Sequence, residues 1–278
     1  RFPADAARRF AAHPDHAEWW DRLHLYGLDF RLLPEVLAQV EVWRAGPPFD
    51  ILINNAAQTV WHPPAYYHRL LEGEQAPLSF AAPIRCRLTP SQRRQGLVLS
   101  DALFPAGEDI QGNPLDLRRE NSWVQKLADI APIEAIEVQV INAIVPFILC
   151  SRLQHSLARS RHPDRYIVNV TALEGMFARS DKLPRHPHTN MAKAGLNMIT
   201  RTSAASCASE GIYMVSVDPG WMSHEGPAHQ VEAAYATGFH PPLDAADSAA
   251  RVLDPVLRGV DGAPVFGVLL KDFEVVDW

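Results

Sequence analysis

The sequence has few cysteines, no long apolar run and no excess of positive charge. Its 278 residues include only Cys86, Cys150 and Cys207, without a CxxC pair, which suits a reducing compartment and excludes a disulfide framework. No uninterrupted apolar run reaches the roughly 18 residues of a membrane span. The net charge of −6 gives no general attraction to phosphate backbones. We therefore expect a cytoplasmic protein with neither a membrane nor a nucleic-acid partner.

Metal-ligand spacing is also missing. The sequence contains 12 histidines, but they form no HExxH motif or other spacing typical of metal ligands, even where His186 and His188 lie two residues apart. We predict no metal site.

What the sequence does contain is an alternation of strand and helix patterns. Helical periodicity covers residues 5–12, 33–44, 133–158, 189–209 and 245–257, and apolar strand patterns cover 23–29, 50–54, 166–171, 213–217 and about 265–269. This alternation predicts an α/β fold in three layers, with a doubly wound parallel sheet and helices on both faces. Residues 60–131 break the alternation, so we predict a single domain, 1–278, with a long insertion there. Ligands of such sheets bind beyond the carboxyl ends of the strands.

Four short motifs follow predicted strands or begin predicted helices. They are Asn54-Asn55-Ala56-Ala57 after a buried strand, Asn142 within a helix, Lys193 at the head of the next helix, and Pro219-Gly220 after a later strand. In this order the set resembles the short-chain dehydrogenase/reductase family, whose chains carry an NNAG motif, a helix asparagine, a YxxxK motif and a PG turn. The resemblance covers roughly residues 1–278 and implies a Rossmann fold.

The resemblance also implies a nicotinamide cofactor, NADP or NAD. Asp29, at the end of its strand, would bond the adenine amino group, and Arg1 stands where the family often meets the 2′-phosphate, which favours NADP. Lys193 would bond ribose hydroxyls, and Asn142 would hold a water that links this lysine to solvent. The carboxamide of Asn54 can also tie neighbouring strands together. The remaining residues expected at the cofactor are Asn54 itself, Asn55, Ala56, Pro219, Gly220, Trp221 and Met222.

The sequence departs from the family at the proton donor. The tyrosine of YxxxK would stand four residues before Lys193, where the sequence has Thr189, and the family's serine aligns with Thr171 or, in the better register, with Ala172. A threonine hydroxyl has a pKa far above the value of about 10 for a phenol, so it cannot replace the tyrosine as a general acid. We hypothesise that His188 or Glu174 supplies the proton, the alternative being that both are polar loop residues.

A second departure concerns the phosphate-binding turn. The family's glycine-rich TGxxxGxG turn has no counterpart, because no glycine precedes Gly27. Such a turn holds the pyrophosphate against backbone N–H groups. Either an upstream segment lies outside this sequence or the pyrophosphate cradle is missing, and we expect the first.

Two functions remain open at this point. The first is an NAD(P)-dependent oxidoreductase that transfers a hydride to or from a small carbonyl or alcohol substrate by way of an atypical proton donor. The alternative is a non-redox protein on the same fold, either a cofactor-binding regulator or a proton-transfer enzyme such as a dehydratase or cyclase. The resemblance further implies a homodimer or homotetramer, since the family's helices equivalent to residues 133–158 and 189–209 pair across a two-fold axis.

Overall fold

The computed structural model describes residues 1–87, 102–109 and 112–278. They form two compact units. Unit 1 consists of Arg1–Val36 and His62–Arg119, and unit 2 consists of Leu37–Trp61 and Glu120–Trp278. Most of the segment predicted to be an insertion therefore belongs with the N-terminal residues, and its residues 88–101 and 110–111 lie outside the described part of the chain.

Helices and strands alternate along the chain as the sequence pattern predicts. The helices are α1 Pro3–Ala11, α2 Leu33–Ala45, α3 His68–Gln75, α4 Pro132–Gln139, α5 Val145–Ala158, α6 Pro187–Ala208, α7 Ala228–Ala236 and α8 Ala245–Val260. The strands are β1 Leu25–Tyr26, β2 Ile51–Asn54, β3 Ile84–Cys86, β4 Arg165–Val170, β5 Ile212–Asp218, β6 Leu269–Lys271 and β7 Glu274–Val276. A π-helical turn, Val140–Ile144, joins α4 to α5 without a break.

Unit 1 holds a small parallel pair of strands, β1 with β3. Its α1 begins with a proline in the first turn, which suits the missing N–H of that residue. The carboxylate of Glu74 accepts hydrogen bonds from the backbone N–H groups of Ala4, at 2.7 Å, and Asp5, at 3.2 Å. These are N–H groups that a helix leaves without an internal partner, so the buried Glu74 side chain fixes α1 to α3.

Unit 2 contains a five-stranded sheet in the order β2-β4-β5-β6-β7. The first four strands are parallel, and β7 runs antiparallel to β6. One buried cluster joins Ile167 and Met214 of the sheet to helices α5 and α6. A second cluster joins Val168 and Val215 to Val256 of α8. Neighbouring residues of a strand point to opposite faces, so helices cover both faces, and the predicted three-layer α/β fold is confirmed.

A row of polar side chains crosses this sheet. The strand register aligns Asn54 of β2 with Asn169 of β4, and Asn169 with Ser216 of β5. The Asn54 amide donates to Asn169 Oδ1 at 2.8 Å, and the Asn169 amide donates to Thr200 Oγ1 of α6 at 2.9 Å. The Ser216 hydroxyl donates to the same Thr200 oxygen at 2.8 Å. Buried polar groups need such partners, and here they tie three strands to one helix.

The long helical stretch Pro132–Ala158 is more apolar than the sequence pattern led us to expect. Its most apolar 18-residue window has a mean hydropathy of 1.8 and is 44% buried. By length and composition alone this stretch is sufficient to cross a membrane, and among the described residues it is the one helix that is. The core helix of a soluble protein meets the same criterion. The absence of a membrane partner therefore stays a prediction.

Candidate active site

The first turns of α6 carry polar side chains to the carboxyl end of β4. Thr189, Lys193 and Asn197 follow one another at four-residue spacing, which places them on one face of the helix, and all three are buried. This face packs against the 3₁₀ turn Leu173–Gly175 that follows β4. A Cβ atom on Gly175 would lie 2.7 Å from the carbonyl carbon of Lys193, so only glycine permits this approach.

The Lys193 side chain is held at the carboxyl end of β4, and not all of its N–H donors are used by described residues. Its Nζ donates to the carbonyl oxygen of Val170 at 2.8 Å, the one hydrogen bond it makes within the described residues. An ammonium group has three N–H donors, so two remain for a ligand. Burial lowers the pKa of Lys193 to about 8, against the opposing negative charges of Glu174 and Asp218. At neutral pH the side chain is still mostly a cation.

Two threonine hydroxyls near this lysine lack partners. Thr171 is 2% exposed and Thr189 is 4% exposed, and neither Oγ1 has a hydrogen-bond partner in the part of the chain that the structure describes. Leaving a buried hydroxyl unpaired costs about 1–3 kcal/mol. Such a cost is tolerated where a ligand or an ordered water completes the bonds. Thr171 and Thr189 thus have hydroxyls available to a ligand, and their place in a catalytic site stays a prediction.

Glu174 lies on the 3₁₀ turn beside Lys193. Its negative charge acts on Lys193 and also on His186 at the start of α6. Its backbone carbonyl accepts a hydrogen bond from Lys182 Nζ at 2.7 Å. The carboxylate itself makes no hydrogen bond with a described residue and is partly exposed. The Glu174 carboxylate is therefore available to solvent or to a ligand.

His188 turns toward a different helix. Its Nε2 lies 3.2 Å from Oε1 of Glu134 in α4, and the Ser122 hydroxyl donates to the same carboxylate oxygen. All three side chains are buried. The structure therefore does not group His188 with Lys193, although the two lie on the same helix.

Asn142 lies within the π-helical turn, a local irregularity that is frequent at functional sites. Its side-chain amide pairs with the backbone N–H and carbonyl of Gln58, in the loop that follows β2. In that loop Asn55 and Ala56 are exposed, whereas Asn54 is buried in the polar row described above. The structure thus assigns Asn54 a partner within the sheet and leaves Asn55 and Ala56 open to a ligand.

The Pro219-Gly220 turn closes β5. Asp218 Oδ1 accepts a hydrogen bond from the Gly220 N–H at 2.8 Å, and burial raises the pKa of the Asp218 carboxyl. Gly220 has a φ of +82°, which favours glycine, and a Cβ atom there would meet the Leu243 side chain at 2.3 Å. Trp221 and Met222 follow with their side chains exposed.

In unit 1 the two residues predicted for the adenine end lie together. Arg1 Nε is 3.0 Å from Asp29 Oδ2, and Arg31 binds both oxygens of the same carboxylate. Burial would raise the pKa of Asp29, but the hydrogen bonds from Arg31 and the charges of Arg1 and Arg31 hold it below its usual range. Asp29 is therefore an anion already paired with two cations.

Some residues of the site gave no usable sequence signal. His186 is the residue before Pro187 at the start of α6, and only that position at the head of a helix marks it in the sequence. Ser122, whose hydroxyl donates to Glu134 near His188, lies in the stretch 60–131 that breaks the alternation, whereas Glu134 lies at the start of the predicted helix 133–158. Across the described residues no three His, Cys, Asp or Glu side chains gather as a metal site, and the absence of a metal stays a prediction.

A parallel sheet covered by helices on both faces, with polar side chains at the carboxyl ends of its strands, defines a Rossmann-type fold. No protein-family profile matches the chain. The chain is 29% identical over 272 residues to the uncharacterized protein R665 of Acanthamoeba polyphaga mimivirus, an alignment that covers 91% of the chain and 55% of the relative. The chain thus spans about half the length of the curated relative that it matches.

Solved structures share the fold at low sequence identity. The carbonyl reductase Sniffer of D. melanogaster has a TM-score of 0.56 at 15% identity, covering 99% of this chain and 84% of that one. A Burkholderia multivorans structure assigned to the short-chain dehydrogenases/reductases, with bound NADP, has a TM-score of 0.54 at 18% identity. The match covers 94% of this chain and 80% of that one. A short-chain dehydrogenase from Streptomyces avermitilis has a TM-score of 0.54 at 14% identity, and the match covers 98% of this chain and 77% of that one. The fold is that of the short-chain dehydrogenases/reductases.

Proposed function

We propose that the protein is an NAD(P)-dependent oxidoreductase of the short-chain dehydrogenase/reductase type, acting on a small carbonyl or alcohol substrate with an atypical proton donor. One observation carries this proposal. Lys193 is a buried cation at the carboxyl end of a parallel strand, next to two buried hydroxyls. Within the described residues two of its donors are unused and neither hydroxyl has a partner.

The residues at this strand end fit the nicotinamide half of a dinucleotide. The unused donors of Lys193 match ribose hydroxyls, and a buried polar site of this kind needs a polar ligand. Exposed Asn55 and Ala56 leave the loop after β2 accessible, and Trp221 and Met222 offer apolar surface after the Pro219-Gly220 turn. When bound, a nicotinamide supplies the hydride exchange.

NADP is the cofactor that we propose first. In unit 1 the Arg1 guanidinium is the candidate for the 2′-phosphate, and Asp29 beside it is the candidate for the adenine amino group. An arginine suits a phosphate because its planar fork donates two parallel hydrogen bonds. The Burkholderia multivorans structure of the same fold was solved with bound NADP, which supports this choice.

The proton donor cannot be the tyrosine of the family, because Thr189 stands in its place. Of the two substitutes expected from the sequence, Glu174 has its charge close to Lys193, whereas His188 is paired with Glu134. These contacts favour Glu174 over His188. We retain Asn142 as the residue that fixes the loop after β2, and its role as a holder of water stays a prediction.

A direct test is a titration with NADPH and NADH followed by protein fluorescence, and then a screen of aldehydes and ketones followed by NADPH absorbance. We expect NADPH binding and oxidation, and weakened NADPH binding in Lys193→Met because the ribose loses its donor. Lys126→Met is the matched control, since Lys126 is an exposed lysine that directly precedes the 3₁₀ turn Leu127–Asp129 of the same unit. Equal affinity in the two variants would contradict the role of Lys193.

Thr189 in place of tyrosine also supports the second candidate, a non-redox protein on this fold. It would be a cofactor-binding regulator or a proton-transfer enzyme such as a dehydratase or cyclase. NADPH binding without oxidation by any carbonyl compound of the panel would favour this candidate. Our proposal includes a cytoplasmic location, consistent with three free cysteines among the described residues.

A further inference from the structure

His186, which precedes the first residue of α6, has an unusual backbone. Its φ of 37° and ψ of 51° lie in the left-handed region, which costs an L-residue other than glycine about 1–2 kcal/mol. The conformation is fixed from both sides. The His186 N–H donates to the Gln125 carbonyl at 2.8 Å, and the His186 carbonyl accepts from the N–H groups of Thr189 and Asn190. Strain held in this way concentrates at functional sites.

The imidazole ring is equally constrained. It stacks on the indole of Trp123, with ring centroids 4.7 Å apart and an interplanar angle of 23°. Its Nδ1 lies 3.3 Å from the side-chain oxygen of Asn190. A carboxamide oxygen can only accept, so this contact assigns the ring hydrogen to Nδ1. Nε2, which makes no hydrogen bond with a described residue, is then the atom that gains and loses a proton.

The charges around His186 also act on the candidate active site. Burial lowers the pKa of His186, while the negative charge of Glu174 and the hydrogen bond to Asn190 raise it and His188 lowers it. The same Glu174 charge acts on Lys193. The charge of one carboxylate on the turn after β4 thus acts on both the imidazole and the buried ammonium group. His186 also lies one helical turn before Thr189, whose N–H donates to the His186 carbonyl at 3.0 Å.

The other polar side chains of the same helical turn are unsuited to proton transfer. Thr189 is too weak an acid, and His188 is bound to Glu134 on α4. We propose that His186 is the proton-exchanging residue of this site, with Glu174 as the carboxylate that stabilises its imidazolium form. This inference rests on the proposed function and refines it, since His186 exchanges the proton directly and Glu174, which we favour over His188 above, acts through His186.

The proton step follows from the ring's hydrogen bonds. In the direction of carbonyl reduction the Nε2–H bond of the imidazolium breaks, the proton passes to the substrate oxygen, and the electron pair stays on Nε2. In the direction of alcohol oxidation Nε2 takes the hydroxyl proton. Solvent restores the starting form in either case.

The stacked Trp123 makes His186 directly observable, because an imidazolium quenches the fluorescence of an indole that it contacts. The fluorescence of Trp123, obtained as wild type minus Trp123→Phe, should rise with pH through a midpoint below the ordinary histidine pKa of about 6.5. The transition should vanish in His186→Asn, since asparagine tolerates the left-handed backbone, and in His186→Gln. It should remain in His188→Gln. A transition that persists in both His186 variants would overturn the inference.

Turnover provides the second readout, with NADPH and benzaldehyde as probes. We expect His186→Asn and His186→Gln to lose about 10²–10⁴-fold in turnover, the usual contribution of a general acid, with unchanged NADPH affinity. His162→Gln, at an exposed histidine of the same unit, should keep its turnover. Undiminished turnover in folded His186 variants would overturn the inference and leave the proposed function standing. A wild type that neither binds NADPH nor reduces carbonyl compounds would overturn both.

Discussion

The side-chain amide of Asn142 pairs with both backbone groups of Gln58, as a neighbouring strand would. Asn142 Oδ1 accepts a hydrogen bond from the Gln58 N–H at 2.7 Å, and Asn142 Nδ2 donates to the Gln58 carbonyl at 2.9 Å. One side chain thus joins the π-helical turn to the loop after β2. Because Asn142 is only 1% exposed, water has little access to replace these bonds, and they should matter for stability.

Asn142→Ala should therefore lower the free energy of unfolding by about 1–3 kcal/mol, since it leaves a partly buried N–H and a partly buried carbonyl of Gln58 without their partner. Urea unfolding measures this change. Gln58→Ala is the control, because it keeps the backbone groups that pair with Asn142. The side-chain nitrogen that it removes is buried and makes no hydrogen bond with any residue that the structure describes. The cost of Gln58→Ala should be clearly smaller. Equal losses in the two variants would show that the amide pairing contributes nothing.

The buried ammonium of Lys193 should give stability a characteristic pH dependence. Its pKa is about 8 in the folded protein, whereas the ordinary lysine value of 10.5 applies to the unfolded chain. Between these values the unfolded chain holds a proton that the folded protein has released, so the free energy of unfolding rises with pH. The penalty is fully present below pH 8 and is lost by pH 10.5. It amounts to roughly 3 kcal/mol.

Lys193→Met removes this titration. The free energy of unfolding of the wild type, measured relative to that of Lys193→Met, should therefore increase between pH 8 and pH 10.5, because groups common to both proteins cancel in the difference. Lys126→Met controls for the loss of one positive charge at an exposed position. For each variant, the free energy of unfolding of the variant is subtracted from that of the wild type. The prediction is wrong if this difference depends on pH in the same way for Lys193→Met and for Lys126→Met.

The predictable part of the fold consists of long, continuous patterns. Residues 166–171 form an apolar run that fits a strand buried on both faces, and β4 occupies Arg165–Val170. The last strand was predicted about four residues too early, since β6 is Leu269–Lys271. It leads into β7 through Asp272 and Phe273, both with positive φ. Tight hairpin turns of this kind normally use glycine or asparagine, so the sequence KDFE gave no turn signal.

The candidate site likewise has some residues that the sequence predicts and some side-chain contacts that it does not. The family resemblance predicts Lys193 and Thr171 as site residues, and the structure has them where α6 begins and β4 ends, at the edge of the sheet where ligands of such folds bind. The partner of His188 could not be predicted, since its pairing with Glu134 depends on how α4 packs against α6. Similarly, no pattern shows that Arg31 joins Arg1 on Asp29. Side-chain pairs between elements are set by packing, which a single sequence does not reveal.

Replacing Gly175 by alanine should destabilise the protein, whereas the same replacement at Gly195 should not. Gly175→Ala places a methyl group 2.7 Å from the Lys193 carbonyl carbon, so the turn that carries Glu174 must move away from α6 at a cost of about 1–3 kcal/mol. Gly195→Ala, within α6, meets only Ala143 Cβ at 3.8 Å and should stabilise the helix by up to about 1 kcal/mol. Thermal unfolding distinguishes the two. A Gly175→Ala protein as stable as the wild type would contradict the close packing of turn and helix.

Self-association is the last property we propose. The resemblance to the short-chain dehydrogenases/reductases implies that the helices at residues 133–158 and 189–209 pair across a two-fold axis. Both helical segments expose large apolar side chains here: Ile136 and Phe147 on α4 and α5, and Met191 and Met198 on α6. Exposed apolar patches of this kind mark interaction surfaces, and covering them would favour a homodimer or homotetramer. Light scattering should then give at least twice the mass of one chain.

A charged residue within the interface should dissociate such an oligomer. Phe147→Glu places an unpaired carboxylate where apolar surface would be buried, which costs several kcal/mol if the interface forms, so the mass should fall to that of one chain. Val260→Glu, at an exposed apolar residue near the end of α8, is the matched control and should leave the mass unchanged. A monomeric wild type would contradict the proposal outright. An oligomer that only Val260→Glu dissociates would place the interface on α8 instead, since the same charge disrupts whichever apolar surface the subunits bury.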